Sequence, residues 1–136
     1  TLYEIQQSSD VTYRLWDYNR VNAKGEKRPL HIRQSLDVAD VRLRGRRASL
    51  PAATEPGEHT VLEVPAFRLR CACVAGELPL EASRGCFRMC TALDALSLCW
   101  QGGELALRAG ESALIPARCP ALRITGTGRA LLASVR

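Results

Sequence analysis

Histidine is scarce in this chain: 136 residues contain two, His31 and His59, too far apart in sequence to form a local metal-binding pair. Aromatic residues make up 5% of the chain and none accompanies the arginine cluster at 42–47, so the stacking platform of a nucleic-acid binder is missing. No apolar run approaches the roughly 20 residues of a membrane-spanning helix. The first residues also lack the basic-then-apolar order of a secretory signal. No C-x-x-C pair offers the spacing of a structural zinc site. These absences point away from membrane, nucleic acid and zinc-ribbon classes, and they make a cytoplasmic protein the expectation. A first residue other than methionine is compatible with a trimmed chain, a fragment or a complete product.

The length suits one domain with its own core. Hydrophobic residues at 46% and charged residues at 24% are ordinary for a globular protein. The formal charge is +5, and up to Leu50 ten basic residues face six acidic ones. Arg42, Arg44, Arg46 and Arg47 form the densest group, read here as a solvated basic linker, with contact to an anionic ligand as the alternative. Of six cysteines, Cys71 and Cys73 sit in an alternating segment, Cys86 and Cys90 are four apart, and Cys99 and Cys119 stand alone. Small buried apolar residues with intact thiols are the expected role.

The opening stretch, TLYEIQQSSDVTYRLWDYNR, alternates like a strand, breaks at the turn-prone Ser8-Ser9-Asp10, and resumes strand-forming residues to Tyr18. A strand pair is expected there. On pattern alone it is either a solvated hairpin or one wall of a site. Residues 21–29 read as a polar loop, and Arg33 to about Asp40 as a short helix with Leu36 and Val38 or Ala39 available to bury. The segment from Leu50 to Glu58, with two prolines, reads as a linker, and His59 beyond it as exposed. Two regions are therefore expected, 1–50 and 51–136. From Val61 onward, eight short strands separated by glycine and proline turns predict an all-β sandwich or jelly-roll barrel. On the strand around Cys71, Phe67, Leu69, Cys71 and Cys73 share one face and Arg68 and Arg70 the other, the alternation of a half-buried strand.

EIQQSSDVTYRLWDYNR, followed by RPLHIRQSLDVAD, resembles the segment of type I mannose-6-phosphate isomerases just after the last metal-ligand histidine of their first cupin barrel. The resemblance implies an aldose–ketose isomerase of the cupin fold that interconverts mannose 6-phosphate and fructose 6-phosphate with a divalent metal, usually zinc. Gly110 to Ala117 further resembles the second cupin motif. A metal-binding cupin would place a histidine shortly after Pro116, whereas this chain has Arg118-Cys119-Pro120-Ala121-Leu122. A metal-free C-terminal cupin that supports a catalytic partner domain is therefore implied, with no cofactor held by this chain.

Residue by residue, the resemblance implies that Arg14 is the catalytic arginine, Glu4 a proton-transfer carboxylate, Asp10 a ligand of the sugar hydroxyls or of Arg14, and Arg20 a phosphate contact. His31, in the Pro29-Leu30-His31-Ile32 run, is expected either to order this wall or to make a local hydrogen bond. The implied partners are the sugar phosphates, and either a metal-binding cupin half or a second copy. The chain alone is expected to be inactive; a non-catalytic cupin module binding a sugar or a protein is the alternative. Titration in denaturant without reductant should count six thiols per chain; a count well short of that would mean disulfides instead of buried thiols.

Overall fold

The computed structural model describes residues 3–6, 11–45, 47–81 and 85–135. The chain divides into two compact units, Thr1–Arg46 and Arg47–Arg136.

Two long strands dominate the second unit. β2 (Phe67–Leu80) and β7 (Leu122–Val135) pair antiparallel along their whole lengths, from Phe67 opposite Val135 to Leu80 opposite Leu122. Shorter strands add to different halves of this ribbon. β1 (Gly57–Glu63) joins the first half of β2, and β3 (Arg88–Ala92) joins the last half of β7, with β6 (Ser112–Ile115) beyond it. β4 (Leu96–Trp100) joins the first half of β7, with β5 (Gly103–Leu107) beyond it. The result is an antiparallel jelly-roll sheet, folded over a core and not closed into a barrel. Val74, Ile124, Leu132, Leu98 and Ile115 are among the residues filling the space between its halves.

Seven strands stand among the described residues: the eight expected ones reduce to six, because Leu78 and Leu80 continue β2 and Gly126-Thr127-Gly128 continues β7 as a bend, and β1 adds one that was not expected. Gly126 has φ +120° and Gly128 φ +144°, values that side chains with a Cβ rarely adopt. A Cβ on Gly128 would lie 2.4 Å from Cβ of Asp94, whose carboxylate accepts the backbone N–H of Arg129 at 2.9 Å. These glycines are therefore the places where one strand leaves one half of the sheet for the other. β1 begins at Gly57, inside the expected linker, because the row from Gly57 to Thr60 pairs with Cys73 to Arg70 and Glu58 bonds Arg70 at 2.8 Å. His59 is consequently half-buried, its Nε2 2.9 Å from the carbonyl of Glu55.

The middle of β2 is covered on both faces, not one. Ala72 and Val74 enter the main core, while Cys71 and Cys73 pack with Leu131 on the opposite side, their sulfurs 4.0 Å apart. Burial and the neighbouring Cys73 push the Cys71 thiol up to about 12, and burial pushes Cys90 up to about 11, so both stay protonated at neutral pH. None of the cysteines is in a disulfide.

The first unit is built differently. Its helix α1 (Ile32–Val38) starts one residue before the expected segment and ends two residues before it. It buries Ser35, at 6% exposure, and leaves Leu36 and Val38 exposed, against expectation. The strand pair expected over Thr1 to Tyr18 is absent from the described residues; in this unit the β pairing they show is the single bridge between Val21 and Lys27. The physical reason is visible at Arg14, whose backbone groups are taken by His31 and so are lost to a ladder. Among the described residues no helix is long and apolar enough to cross a membrane.

Gly128→Ala should destabilise the second unit by about 2–4 kcal/mol, since it joins a forbidden φ to an overlap with Asp94. Gly110→Ala, with an unfavourable φ but open space around it, should cost about 1 kcal/mol. Urea unfolding of the two variants tests this order.

Candidate active site

Asp17 is the hub of the first unit. A carboxylate that is 8% exposed must be paired, and two arginines meet this requirement. Arg28 grips it in a two-pronged contact, Nε donating to Oδ2 at 2.8 Å and Nη2 to Oδ1. Arg14 Nε lies 3.8 Å from Oδ1. Arg20 donates its backbone N–H to the Asp17 carbonyl at 2.9 Å. The hydrogen bond from Arg28 holds the Asp17 carboxyl below the usual carboxylate range; partial burial works against it, and the charges of Arg28, Arg14 and Arg20 reinforce it.

The bond from Arg20 to Asp17 closes a tight turn. Its central residues, Tyr18 and Asn19, have φ of 51° and 54°, the left-handed pair found in a type I′ turn. Asparagine tolerates that conformation and tyrosine does so at a cost. The turn brings the Arg20 guanidinium 5.5 Å from the centre of the Tyr18 ring. A second turn follows, organised by Asn22, whose side-chain oxygen accepts the N–H groups of Lys24 and Glu26. It returns the chain so that Lys27 donates to Asn19 at 3.1 Å and Arg28 reaches Asp17.

Arg14 is held from several sides. Its Nη1 donates to the Pro29 carbonyl at 3.2 Å, its backbone N–H to His31 Nδ1 at 3.2 Å, and its carbonyl accepts from the His31 N–H at 2.8 Å. The His31 ring meets Tyr13 edge-on at 6.4 Å. His31 thus makes local hydrogen bonds whose partner is the candidate catalytic residue.

A small depression of about 40 Å³, open to solvent, lies beside the hub, lined by Trp16, Asp17, Asn19, Arg20, Lys27, Arg28 and Leu30. Three cations and one carboxylate give it a positive lining suited to an anionic group. The four residues singled out from sequence fare differently. Arg14 and Arg20 meet at Asp17, although Arg14 does not line the depression. Glu4 is exposed and makes no ion pair among the described residues. Asp10 lies outside the described residues. Asp17 and Arg28 were missed. An acid set between Trp16 and Tyr18 was the available signal, because a carboxylate among aromatic side chains needs a cation. Among the described residues no group of three or more His, Cys, Asp and Glu side chains could hold a metal ion, so they do not fit the metal that the resemblance implies.

Because the folded carboxyl of Asp17 titrates below its unfolded value of about 3.9, its contribution to stability is complete above that pH and is lost as pH falls through the folded value. Amide exchange over residues 14–31 should therefore accelerate at acidic pH below about 4 relative to the intrinsic exchange rate. Asp17→Asn should show the faster exchange already at neutral pH, without that acid step.

No protein-family model matches the chain. A probable mannose-6-phosphate isomerase of Bacillus subtilis is 53% identical over 38 residues, 28% of this chain and 12% of the relative. The mannose-6-phosphate isomerase of Streptococcus mutans is 52% identical over 40 residues, 29% of this chain and 13% of its own. A putative mannose-6-phosphate isomerase of B. subtilis is 27% identical over 130 residues, which cover 91% of this chain and 40% of the relative. Among solved structures, the mannose 6-phosphate isomerase of B. subtilis superposes with a TM-score of 0.66 at 22% identity, over 93% of this chain and 41% of that one. A phosphomannose isomerase mutant from Salmonella typhimurium gives 0.53 at 20% identity, over 66% and 22%. The structural likeness establishes the fold, and the chain spans less than half the length of the relatives it matches. The chain is thus similar in sequence to mannose-6-phosphate isomerases, most strongly over 38 to 40 residues, and it shares the cupin fold.

Proposed function

We infer that this chain is the C-terminal part of a mannose-6-phosphate isomerase, with residues 1–50 completing a catalytic cupin and 51–136 forming a supporting one. The observation that carries this is the placing of Arg14 beside the buried carboxylate of Asp17, with Arg20 tied by its backbone to the same residue, in a chain resembling that family.

The reaction moves a carbonyl between C1 and C2 of a hexose phosphate. A proton leaves one carbon and returns to its neighbour through an enediol whose oxygens carry developing negative charge. Arg14 suits the second need. Its charge is permanent, its donors lie in a plane, and contacts to Pro29, His31 and Asp17 set its position before substrate arrives. Glu4 is the proposed proton carrier and Asp10 the proposed hydroxyl contact. Arg20, with Lys27 and Arg28 beside it, provides the positive lining for the phosphate. In related enzymes the chemistry is metal-assisted, usually through zinc. The described residues supply no ligand set, so no step is assigned to a metal here and the chain alone is expected to be inactive. A cytoplasmic location accords with a phosphorylated substrate.

A non-catalytic module is the second reading, favoured by the many exposed apolar side chains of the first unit. Leu15, Trp16, Ile32, Leu36 and Val38 are exposed, and Leu43 and Val41 reach 77% and 84%. Such a surface suits a protein partner, whether a metal-binding cupin half or a second copy.

The 136-residue chain, assayed on mannose 6-phosphate with divalent metal present, should give no turnover above background. Addition of a metal-binding cupin half should restore it, and Arg14→Ala should then lower kcat by about 100-fold or more. Arg20→Ala should act mainly by raising KM. Robust turnover by the chain alone would end the fragment assignment, and full activity of Arg14→Ala would end the site assignment.

A further inference from the structure

Cys71 and Cys73 are two positions apart on β2, so both side chains leave the same face of the strand, the one turned away from the main core. Both are 0% exposed, both are free thiols, and their sulfurs stand 4.0 Å apart. A bond of about 2.3 Å to each of two sulfurs 4.0 Å apart subtends an angle of roughly 120° at an ion between them. The strand therefore holds the two donors at bonding separation before any ion arrives, which lowers the cost of binding one. The imidazole across the ladder is otherwise engaged. His59, opposite Cys71 on β1, has its Nε2 2.9 Å from the Glu55 carbonyl. Two sulfur donors would leave a zinc ion, which takes four ligands, half bound, whereas Cu(I) is a soft ion that thiolates bind at low coordination number.

The charge has to close as well. Two thiols that take up Cu(I) release two protons to solvent, with no change in oxidation state, and the dithiolate complex carries one net negative charge that burial would make costly if left bare. Arg129 lies opposite Cys73 on β7 and on the same face. Its Nε is buried without a hydrogen-bond partner among the described residues, 4.0 Å from the Asp94 carboxylate. Its guanidinium can supply the counter-charge. The way in is short, because Val61, Leu69 and Leu93, which pack against this cluster, are themselves partly exposed, and β1 is an edge strand whose local opening frees one side.

We propose that Cys71 and Cys73 form a binding site for one Cu(I) ion, held as a dithiolate complex whose negative charge is balanced by Arg129. The site belongs to the jelly-roll unit alone, and it does not depend on the isomerase assignment.

Anaerobic titration of the reduced 136-residue chain with Cu(I) against the chromophoric chelator bicinchoninate tests this. One equivalent should be withdrawn from the chelator, and X-ray absorption of the bound ion should report two sulfur neighbours. Cys71→Ala should weaken binding by about 100-fold or more, while joint Cys86→Ser, Cys99→Ser and Cys119→Ser substitution should leave the equivalent bound. Arg129→Gln should weaken Cu(I) by about tenfold and leave Hg(II) unaffected, since the Hg(II) dithiolate complex is neutral. Should Cys71→Ala fail to fold, the absorption spectrum of the unaltered chain carries the test. The proposal is overturned if the chelator keeps the ion, if binding survives Cys71→Ala, or if nitrogen or oxygen neighbours replace the two sulfurs. Equal weakening of Cu(I) and Hg(II) by Arg129→Gln would remove the arginine from the site.

Discussion

The pairing of β2 with β7 is the constraint on which the second unit depends. Every other strand but β5 and β6 attaches directly to one of these two, and those attach through β4 and β3. Because the ribbon runs the full length of both strands, a single antiparallel register sets the position of both halves of the sheet. A slip of one residue would exchange Val74 and Leu132 for Cys73 and Leu131 at the core. If β7 were the strand to slip, Gly128 would also leave Asp94 and Gly126 would leave Leu96, the two close approaches that only glycine permits. Side-chain alternation and the glycine positions thus enforce the same register from independent directions.

In the first unit the corresponding role falls to an ion pair. The bidentate contact of Arg28 with Asp17 ties the returning strand of a turn to its start, and Arg14 and Arg20 take their places from it. Asp17 is the buried member and Arg28 is half exposed, so removing the arginine would leave a buried carboxylate uncompensated. The hub also makes the arginines poor general-purpose surface charges. Their orientation is already determined before any ligand arrives.

Much of the fold was legible in the sequence where local pattern and global structure agree. The alternation around Phe67 to Val74, the Gln101-Gly102-Gly103 turn and the short apolar runs from Arg88 to Ile115 all read correctly as an antiparallel all-β unit. Legibility failed where one residue type serves two purposes. Glycine at 126 and 128 signals a turn in most sequences, and here it permits a strand to bend against Asp94. Glu58 looks like linker polarity until Arg70 appears opposite it. The candidate site was legible at Arg14 and Arg20 through resemblance alone. Asp17 and Arg28 are eleven residues apart with no periodic relation, so only the folded chain reveals that a buried acid chose that partner.

The described residues of the first unit are arranged inside out. Asp17 and Ser35 are its buried residues, and valine, leucine, isoleucine, tryptophan and tyrosine populate its outside. An ordinary domain offsets its conformational entropy by hiding apolar surface within itself, and this unit has almost none hidden. Its order rests instead on polar contacts, the ion pair at Asp17 and the backbone bonds between Arg14 and His31. An apolar exterior of this kind, left bare, is also what chaperones and proteases recognise, so burial of that surface would govern how long the chain persists.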